Sequence, residues 1–217
     1  DLSDALRYCR ANRLPRFGAV KDGEAHLWKG RIHVTPGTYE TLGLAGIAER
    51  VQYNREDPQT SADWGSGRAV ESRQCYEART RGILIPRSGD FQPVMTLREM
   101  VCLDHGGLIL APDVGLHENV GVLDFESMFP SLMVTRNISY ETIRERTGKG
   151  FVVDFTREAL DRRLHFKHMR RTLEEGSQEW AWCEGRQEAL KAVLFCTYGY
   201  SGCWANRFGN FDTFMEI

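Results

Sequence analysis

Residues 119–134, NVGVLDFESMFPSLMV, contain two different patterns of apolar and polar positions. The short apolar run VGVL predicts a strand that ends at Asp124. A helix is predicted to begin near Pro130, because a proline in the first helical turn loses no backbone hydrogen bond. The polar turn predicted between them, at residues 126–129, would expose backbone N–H groups next to a carboxylate.

The same patterns predict elements elsewhere in the chain. Strands are predicted in GRIHV (30–34), in RGILIP before Pro86 and in GGLIL, with a turn at residues 21–23. Helical spacing predicts helices at residues 2–9, 42–53, 63–81, 157–174 and 184–198, of which the last two form an antiparallel pair. In the helix at 63–81, Ser66 is the predicted cap and the predicted buried face is Ala69, Val70, Cys75 and Tyr76. Polar residues 87–93 predict a linker or loop.

Composition places the chain among ordinary globular proteins. Its 217 residues are 41% apolar and 27% charged, with a formal net charge of −2. The longest apolar runs fall far short of the ~20 residues that a membrane span needs, and the first residues have no secretory pattern. We therefore expect a cytoplasmic protein with no membrane partner. The six scattered cysteines predict buried thiols and neither a zinc ribbon nor a disulfide framework.

One local charge pattern departs from this average. Residues 161–171, DRRLHFKHMRR, concentrate basic side chains in a segment predicted as helix. Such a segment is either a solvated basic face or a site for phosphates. The residues themselves leave both interpretations open.

The turn after Asp124 allows two interpretations as well. A carboxylate at a strand end beside exposed N–H groups can hold a cation and an anion together, which suits a metal-bound triphosphate. Alternatively, a strand-end aspartate can simply cap the next helix. Spacing alone does not decide between them.

Several motifs in order resemble the family B DNA polymerases, and archaeal members in particular. DFESMFPSL resembles their first palm motif, Asp-Phe-x-Ser-Leu-Tyr-Pro-Ser-Ile. RQEALKAVLFCTYGYSG resembles the fingers motif Lys-x-x-x-Asn-Ser-x-Tyr-Gly, with Lys191, Tyr198 and Gly199 in register, and LDRRLHFKHM resembles the preceding fingers helix. GRAVESRQCYEARTRGILIP and GGLILAPDVGLHENV resemble the segments that enter the palm. The resemblance covers most of residues 42–208.

The resemblance implies a role for each matching residue. Asp124 would be catalytic and, with the Phe125 carbonyl, would bind Mg²⁺ in a two-ion site that this chain supplies only in part. The implied dNTP-binding residues are Phe125, Ser127, Met128, Phe129, Arg163, Lys167, Lys191 and Tyr198. Phe129 takes the place of the family's steric gate against a 2′-hydroxyl, although it could also be a core residue. Tyr198 would back the nascent base pair, and Gly199 would allow a base to approach.

Three departures from the family pattern limit these expectations. The Asp-Thr-Asp motif and the thumb have no counterpart; Asp212-Thr213 comes too early and is interpreted as a strand end. Phe195 and Cys196 stand where the fingers motif has Asn and Ser. Residues 1–41 resemble only part of a proofreading domain, beginning at an acidic motif that Asp1 could represent. Because an exonuclease needs its full carboxylate set, we expect no exonuclease activity.

The fold class expected from this resemblance is α+β: a palm with an antiparallel sheet and helices, a two-helix fingers hairpin, and a partial α/β exonuclease-like segment before them. The expected parts are residues 1–41 (exonuclease-like), 42–143 (palm), 144–199 (fingers) and 200–217 (return into the palm). The function expected is template-directed DNA synthesis from dNTPs on primer-template DNA, with the missing motif and thumb supplied by a second polypeptide or a further part of the same protein. The alternative is a catalytically inactive polymerase fold that serves as a DNA-binding or scaffold subunit.

Overall fold

The computed structural model describes residues 19–22, 25–28, 32–63, 65–87, 96, 98–99, 101, 110–145 and 148–217. A β-hairpin comes first, with β1 (Ala19–Asp22) antiparallel to β2 (Ala25–Trp28) and Ala19 opposite Trp28. The described residues then form the helices α1 (Pro36–Asn54), α2 (Pro58–Asp63), α3 (Ser66–Thr80), α4 (Met128–Thr135), α5 (Thr142–Glu145), α6 (Phe151–Arg171), α7 (Gln178–Ser201) and α8 (Phe211–Glu216).

The two longest helices, α6 and α7, form the antiparallel pair that the sequence predicts. Ser177 begins α7, and its side chain accepts a hydrogen bond from the Trp180 N–H, so the helix starts earlier than predicted. Helices α1, α3 and α4 pack against this pair. The main core lies between them and includes the fully buried Phe155, Leu190 and Phe208. Among the described residues, no helix is both long and apolar enough to span a membrane.

Helices α1 and α7 cross with their backbones nearly in contact. A Cβ atom on Gly185 would lie 2.5 Å from the Leu42 carbonyl oxygen, and one on Gly46 would lie 2.6 Å from the Gly185 carbonyl oxygen. Gly43, with a φ of 60°, kinks α1 one residue after Leu42. Only glycine fits both sides of this crossing, so three glycines fix how α1 lies against the α6–α7 pair.

A buried ion network ties the same three helices together. Glu49 of α1 is 1% exposed, and its carboxylate accepts hydrogen bonds from Arg162 of α6 at 2.6 and 2.9 Å. Arg186 of α7 also donates to Glu49, and its guanidinium lies 4.0 Å from the ring centroid of Trp182. The hydrogen bonds to Glu49 raise the pKa of Arg162. A buried carboxylate is stabilised here by one arginine from α6 and one from α7.

The expected α+β fold class is wrong for the described residues. Residues 83–87 and 110–125 form no strand, and the apolar side chains of Val122 and Leu123 are 88% and 98% exposed. A lone extended segment cannot satisfy its backbone N–H and C=O groups without a partner strand. The described strands are β1 and β2, and the described part of the expected palm consists of helices and irregular segments. Residues 32–34 are likewise not a strand.

Other predictions are confirmed or corrected locally. The predicted helices at 42–53 and 63–81 correspond to α1 and α3, and the predicted turn at 21–23 falls at the end of β1. Gly65, not Ser66, caps α3, and Tyr76 is 46% exposed whereas Arg73 is 4% exposed. Arg73 can be buried because it donates to the Tyr53 carbonyl, Glu77 and Glu158.

The end of the described chain also differs from the prediction. Asp212 lies in the first turn of α8 and not at a strand end. The Asn210 side chain accepts a hydrogen bond from the Thr213 N–H, which starts a helix at that point.

Of the described cysteines, Cys183 is buried and Cys75, Cys196 and Cys203 are partly buried, all as free thiols. Burial raises the pKa of the Cys183 thiol. The predicted helix at 2–9, residue Asp1 and most of the predicted linker lie outside the described residues.

Candidate nucleotide-binding site

The turn after Asp124 has an unusual backbone conformation. Residues 126–127 form the turn, and Ser127 has a φ of 55° and a ψ of 47°, in the left-handed region that non-glycine residues rarely adopt. Helix α4 begins at Met128, two residues before the predicted start, so Pro130 occupies the first turn as expected. Asp124 and Phe125 are exposed on the other side of this turn. The turn therefore places a free carboxylate next to the N-terminus of a helix.

An open cavity of about 370 Å³ lies between this turn and helices α6 and α7. Its wall combines one carboxylate, two cations and several apolar side chains. The lining residues are Leu123, Asp124, Phe125, Ser127, Met128, Phe129, Pro130, Arg163, Lys191, Leu194 and Phe195. The structure thus brings together most of the predicted dNTP-binding residues with Asp124, although they come from three separate segments. Lys167 and Tyr198 are not part of the wall.

Arg163 on helix α6 and Lys191 on helix α7 place two positive charges in the cavity wall. Arg163 of α6 is 9% exposed and donates through one terminal nitrogen to the Ser127 hydroxyl. Its Nε is buried and has no hydrogen-bond partner among the described residues. Lys191 of α7 is 56% exposed and lies 3.1 Å from the Glu188 carboxylate. Burial acts to raise the pKa of Glu188, but hydrogen bonds from Lys191 and Gln187 outweigh it and leave that pKa below its ordinary value.

The third predicted cation, Lys167, is engaged by a neighbour of Asp124. Its ammonium group donates to the carboxylate of Glu126, and this hydrogen bond lowers the pKa of Glu126. Two other members of the basic segment are also paired, Arg162 with Glu49 and Arg170 with Glu184. Much of the segment 161–171 is therefore neutralised by its own fold, and the charge directed at the cavity is that of Arg163 and Lys191.

Phe129 and Tyr198 belong to a stack of three rings. Their centroids lie 4.0 Å apart with planes inclined by 8°, and Phe214 of α8 stacks on the far side of Tyr198 at 5.0 Å and 15°. Phe129 lines the cavity, whereas Tyr198 lies behind it. Among the described residues, and apart from the nearby backbone of α7 itself, no atom lies within 4 Å of a Cβ placed on Gly199, so the helix surface is open there.

Sequence reasoning missed several residues of this site. Phe195 departs from the fingers motif, and its spacing from Lys191 predicts that both lie on one helical face; its exposure of 67% in the cavity wall was not predicted. Its position one helical turn after Lys191 is the signal that places both side chains on one face. Glu126 and Phe214 gave no such signal, because their contacts with Lys167 and Tyr198 join distant segments.

The residues present fit a divalent cation in part. Asp124 and the carbonyl of Phe125 are oxygen donors of the kind that Mg²⁺ prefers, and Mg²⁺ commonly takes one or two carboxylates together with substrate phosphates. Within the described part of the chain, no group of three His, Cys, Asp or Glu side chains could hold a metal ion. Asp124 is the carboxylate among the cavity-lining residues, so a bound cation would need further ligands from a phosphate or another carboxylate.

Comparison with known proteins identifies a family with a similar sequence. Residues 75–150, which include the turn at Asp124, match the sequence model of DNA polymerase family B. The chain is similar to DNA polymerase 2 of Saccharolobus solfataricus, with 28% identity over 164 residues, which are 70% of this chain and 24% of that protein. It is also similar to the DNA polymerase of Archaeoglobus fulgidus, with 32% identity over 112 residues, 45% of this chain and 14% of that protein.

The fold has a counterpart among solved structures. The family B DNA polymerase from the hyperthermophilic archaeon Pyrobaculum calidifontis aligns with a TM-score of 0.59 and 22% identity, over 83% of this chain and 25% of that one. The resemblance predicted from the sequence is thereby confirmed: the chain is related to the archaeal-type family B DNA polymerases. It spans about a quarter or less of the length of the relatives named here.

Proposed function

We propose that this chain forms the nucleotide-binding half of a family B DNA polymerase active site. The observation that carries the proposal is the cavity in which Asp124 faces Arg163 and Lys191. Phosphoryl transfer depends on neutralising and positioning a triphosphate, and this needs cations from the protein together with a metal-binding carboxylate. The cavity supplies one carboxylate and two cations.

In this proposal each residue has a defined task. Arg163 and Lys191 bind the β- and γ-phosphates, and the buried Nε of Arg163 gains the partner that it lacks among the described residues. Asp124 and the Phe125 carbonyl hold Mg²⁺, which neutralises phosphate charge when it is bound. Lys167 contributes to the positive potential and can turn to the phosphates when Glu126 is neutralised.

The turn itself contributes to binding. Ser127 and Met128 form the start of α4, where backbone N–H groups point outward and the helix dipole favours negative charge. The Ser127 hydroxyl also holds the Arg163 guanidinium against this helix start. Phosphate oxygens would therefore meet donors from the turn and the fingers at once.

Complete catalysis would need a further carboxylate. A two-ion reaction uses at least two metal-binding carboxylates, and Asp124 is the carboxylate in the described cavity wall. We therefore propose that DNA synthesis on primer-template DNA takes place when another polypeptide, or another part of the same protein, brings this group and the surface that grips the duplex. The isolated residues 1–217 would bind nucleotide without extending a primer.

Calorimetric titration of the chain with dATP and Mg²⁺ tests the binding function. Lys191→Ala should weaken binding about tenfold or more, because a charge-assisted contact to phosphate is lost. Asp124→Asn should remove the Mg²⁺ dependence of the affinity. Asp161→Asn and Lys149→Ala change the same charges outside the cavity and serve as matched controls. A folded chain that binds no dATP at millimolar concentration would favour the inactive scaffold function.

A further inference from the structure

Phe195 presents an exposed apolar ring in the wall of a cavity that also contains two cations and one carboxylate. Its side chain is 67% exposed, and it lies in the same wall as Arg163 and Lys191. A single exposed aromatic residue on a convex surface is ordinary and needs no explanation. In a concave site, however, the exposed face of the ring is available to a flat ligand.

The neighbours of Phe195 indicate which chemical groups such a ligand would carry. Lys191 lies one turn earlier on the same helix and supplies a positive charge, while Leu194 beside it is 2% exposed and completes the apolar side of the wall. A ligand that matches this wall has an anionic end and a flat apolar end. A nucleoside triphosphate has both, and inorganic triphosphate has only the first.

We propose that Phe195 is a stacking platform for the base of the incoming nucleotide. The cavity then holds a dNTP by its base and by its phosphates before a templating base is present. Stacking on an aromatic ring tolerates every base because each base has a π-face. This inference rests on the function proposed above and adds a specific contact to it.

The experiment compares two ligands that share the phosphates. Phe195→Ala should weaken binding of dATP about five- to hundredfold and leave the affinity for inorganic tripolyphosphate within twofold, both measured with Mg²⁺. Phe195→Trp should retain the wild-type affinity for dATP, because it preserves the ring. Trp204→Ala removes another exposed aromatic side chain, 65% exposed and outside the cavity wall, and should change neither affinity.

The outcomes separate this inference from the proposed function. If Phe195→Ala weakens both ligands equally, or neither, the stacking platform is wrong. The binding function still stands in that case, provided that Lys191→Ala weakens both ligands. If the wild-type chain binds neither dATP nor tripolyphosphate, both proposals are wrong. Circular dichroism of each variant verifies folding, which an exposed side chain should not affect.

Discussion

Phe129 and Tyr198 stack face to face, with ring centroids 4.0 Å apart and planes inclined by 8°. One face of Phe129 is thus covered by Tyr198, while the residue still lines the cavity. Tyr198 is in turn held between Phe129 and Phe214. Under the proposed function, Tyr198 acts on the nucleotide through Phe129, which it keeps in one orientation. The direct contact expected between Tyr198 and a nascent base pair stays a prediction.

Phe129→Ala should reduce the preference for deoxynucleotides. If the ring occupies the space that a 2′-hydroxyl would need, its removal lets ATP bind nearly as well as dATP, and the ratio of the two dissociation constants should fall about 10- to 100-fold. Titration of wild type and variant with both nucleotides measures this ratio. Phe211→Ala, which removes a ring that contacts Phe214 at the base of the stack, is the control. An unchanged ratio would mean that Phe129 only packs.

Gly185→Ala should destabilise the fold. The new Cβ would approach the Leu42 carbonyl oxygen to 2.5 Å, so helices α1 and α7 would have to separate. Overpacking of this kind costs about 1–3 kcal/mol, which urea unfolding can measure. Gly199→Ala provides a matched control on the same helix, because its Cβ would meet open space. That variant should be neutral or more stable, by up to about 1 kcal/mol. Equal losses in both variants would contradict the close crossing.

Glu49→Gln should also lower the free energy of unfolding. The change leaves Arg162 and Arg186 without their shared buried carboxylate. Breaking a fully buried pair from one side costs about 3–5 kcal/mol, but Arg162 is 40% exposed, so solvent screening should keep the loss at or below about 3 kcal/mol. Glu40→Gln makes the same change at an exposed position of the same helix and should have almost no effect. The comparison of the two midpoints in urea is decisive, since a small loss at Glu49 would mean that the network adds little.

Acidification should lower the free energy of unfolding, because Glu126 pairs with Lys167 and Glu188 pairs with Lys191. The pKa values of Glu126 and Glu188 lie below the ordinary value in the folded chain, so each contributes stability above about pH 4.3, the ordinary pKa of glutamate. That contribution is lost as the pH falls through the lowered folded pKa. The side chains of Glu126 and Glu188 are 44% and 37% exposed, so solvent screens both pairs and each loss should stay below about 1 kcal/mol. Unfolding curves from pH 7 to pH 3 would measure it, and Glu126→Gln should flatten part of the slope. A Glu126→Gln curve parallel to wild type would contradict this assignment.

The helical part of the fold could be predicted because its signals are local. The apolar spacing of α1, α3, α6 and α7 is visible in the sequence and does not depend on which elements pack against these helices. The strand expected just before Asp124 is different, because a strand needs a partner for its backbone groups and no described segment pairs with it. An alternating or short apolar run in a sequence does not show whether a partner strand is present.

The sequence could predict which residues form the candidate site, but not which residues they pair with. Motif order identified Asp124, Arg163 and Lys191, and all three line one cavity. Lys167 was expected to bind phosphate, yet it donates to Glu126, a residue far away in sequence. Such a contact depends on how α6 lies over the turn, which residue types alone do not determine. The burial of Arg73 in place of Tyr76 has the same origin.

An NMR titration of the Arg163 side chain shows whether the cavity binds a nucleotide. Its Nε–H is buried and lacks a hydrogen-bond partner among the described residues, so bound phosphate should change its chemical shift and slow its exchange with water. With dATP and Mg²⁺ added to isotopically labelled chain, we expect this signal and the Ser127 amide to shift together. Saturable shifts confined to residues outside the cavity, with Arg163 unchanged, would contradict the nucleotide-binding half-site.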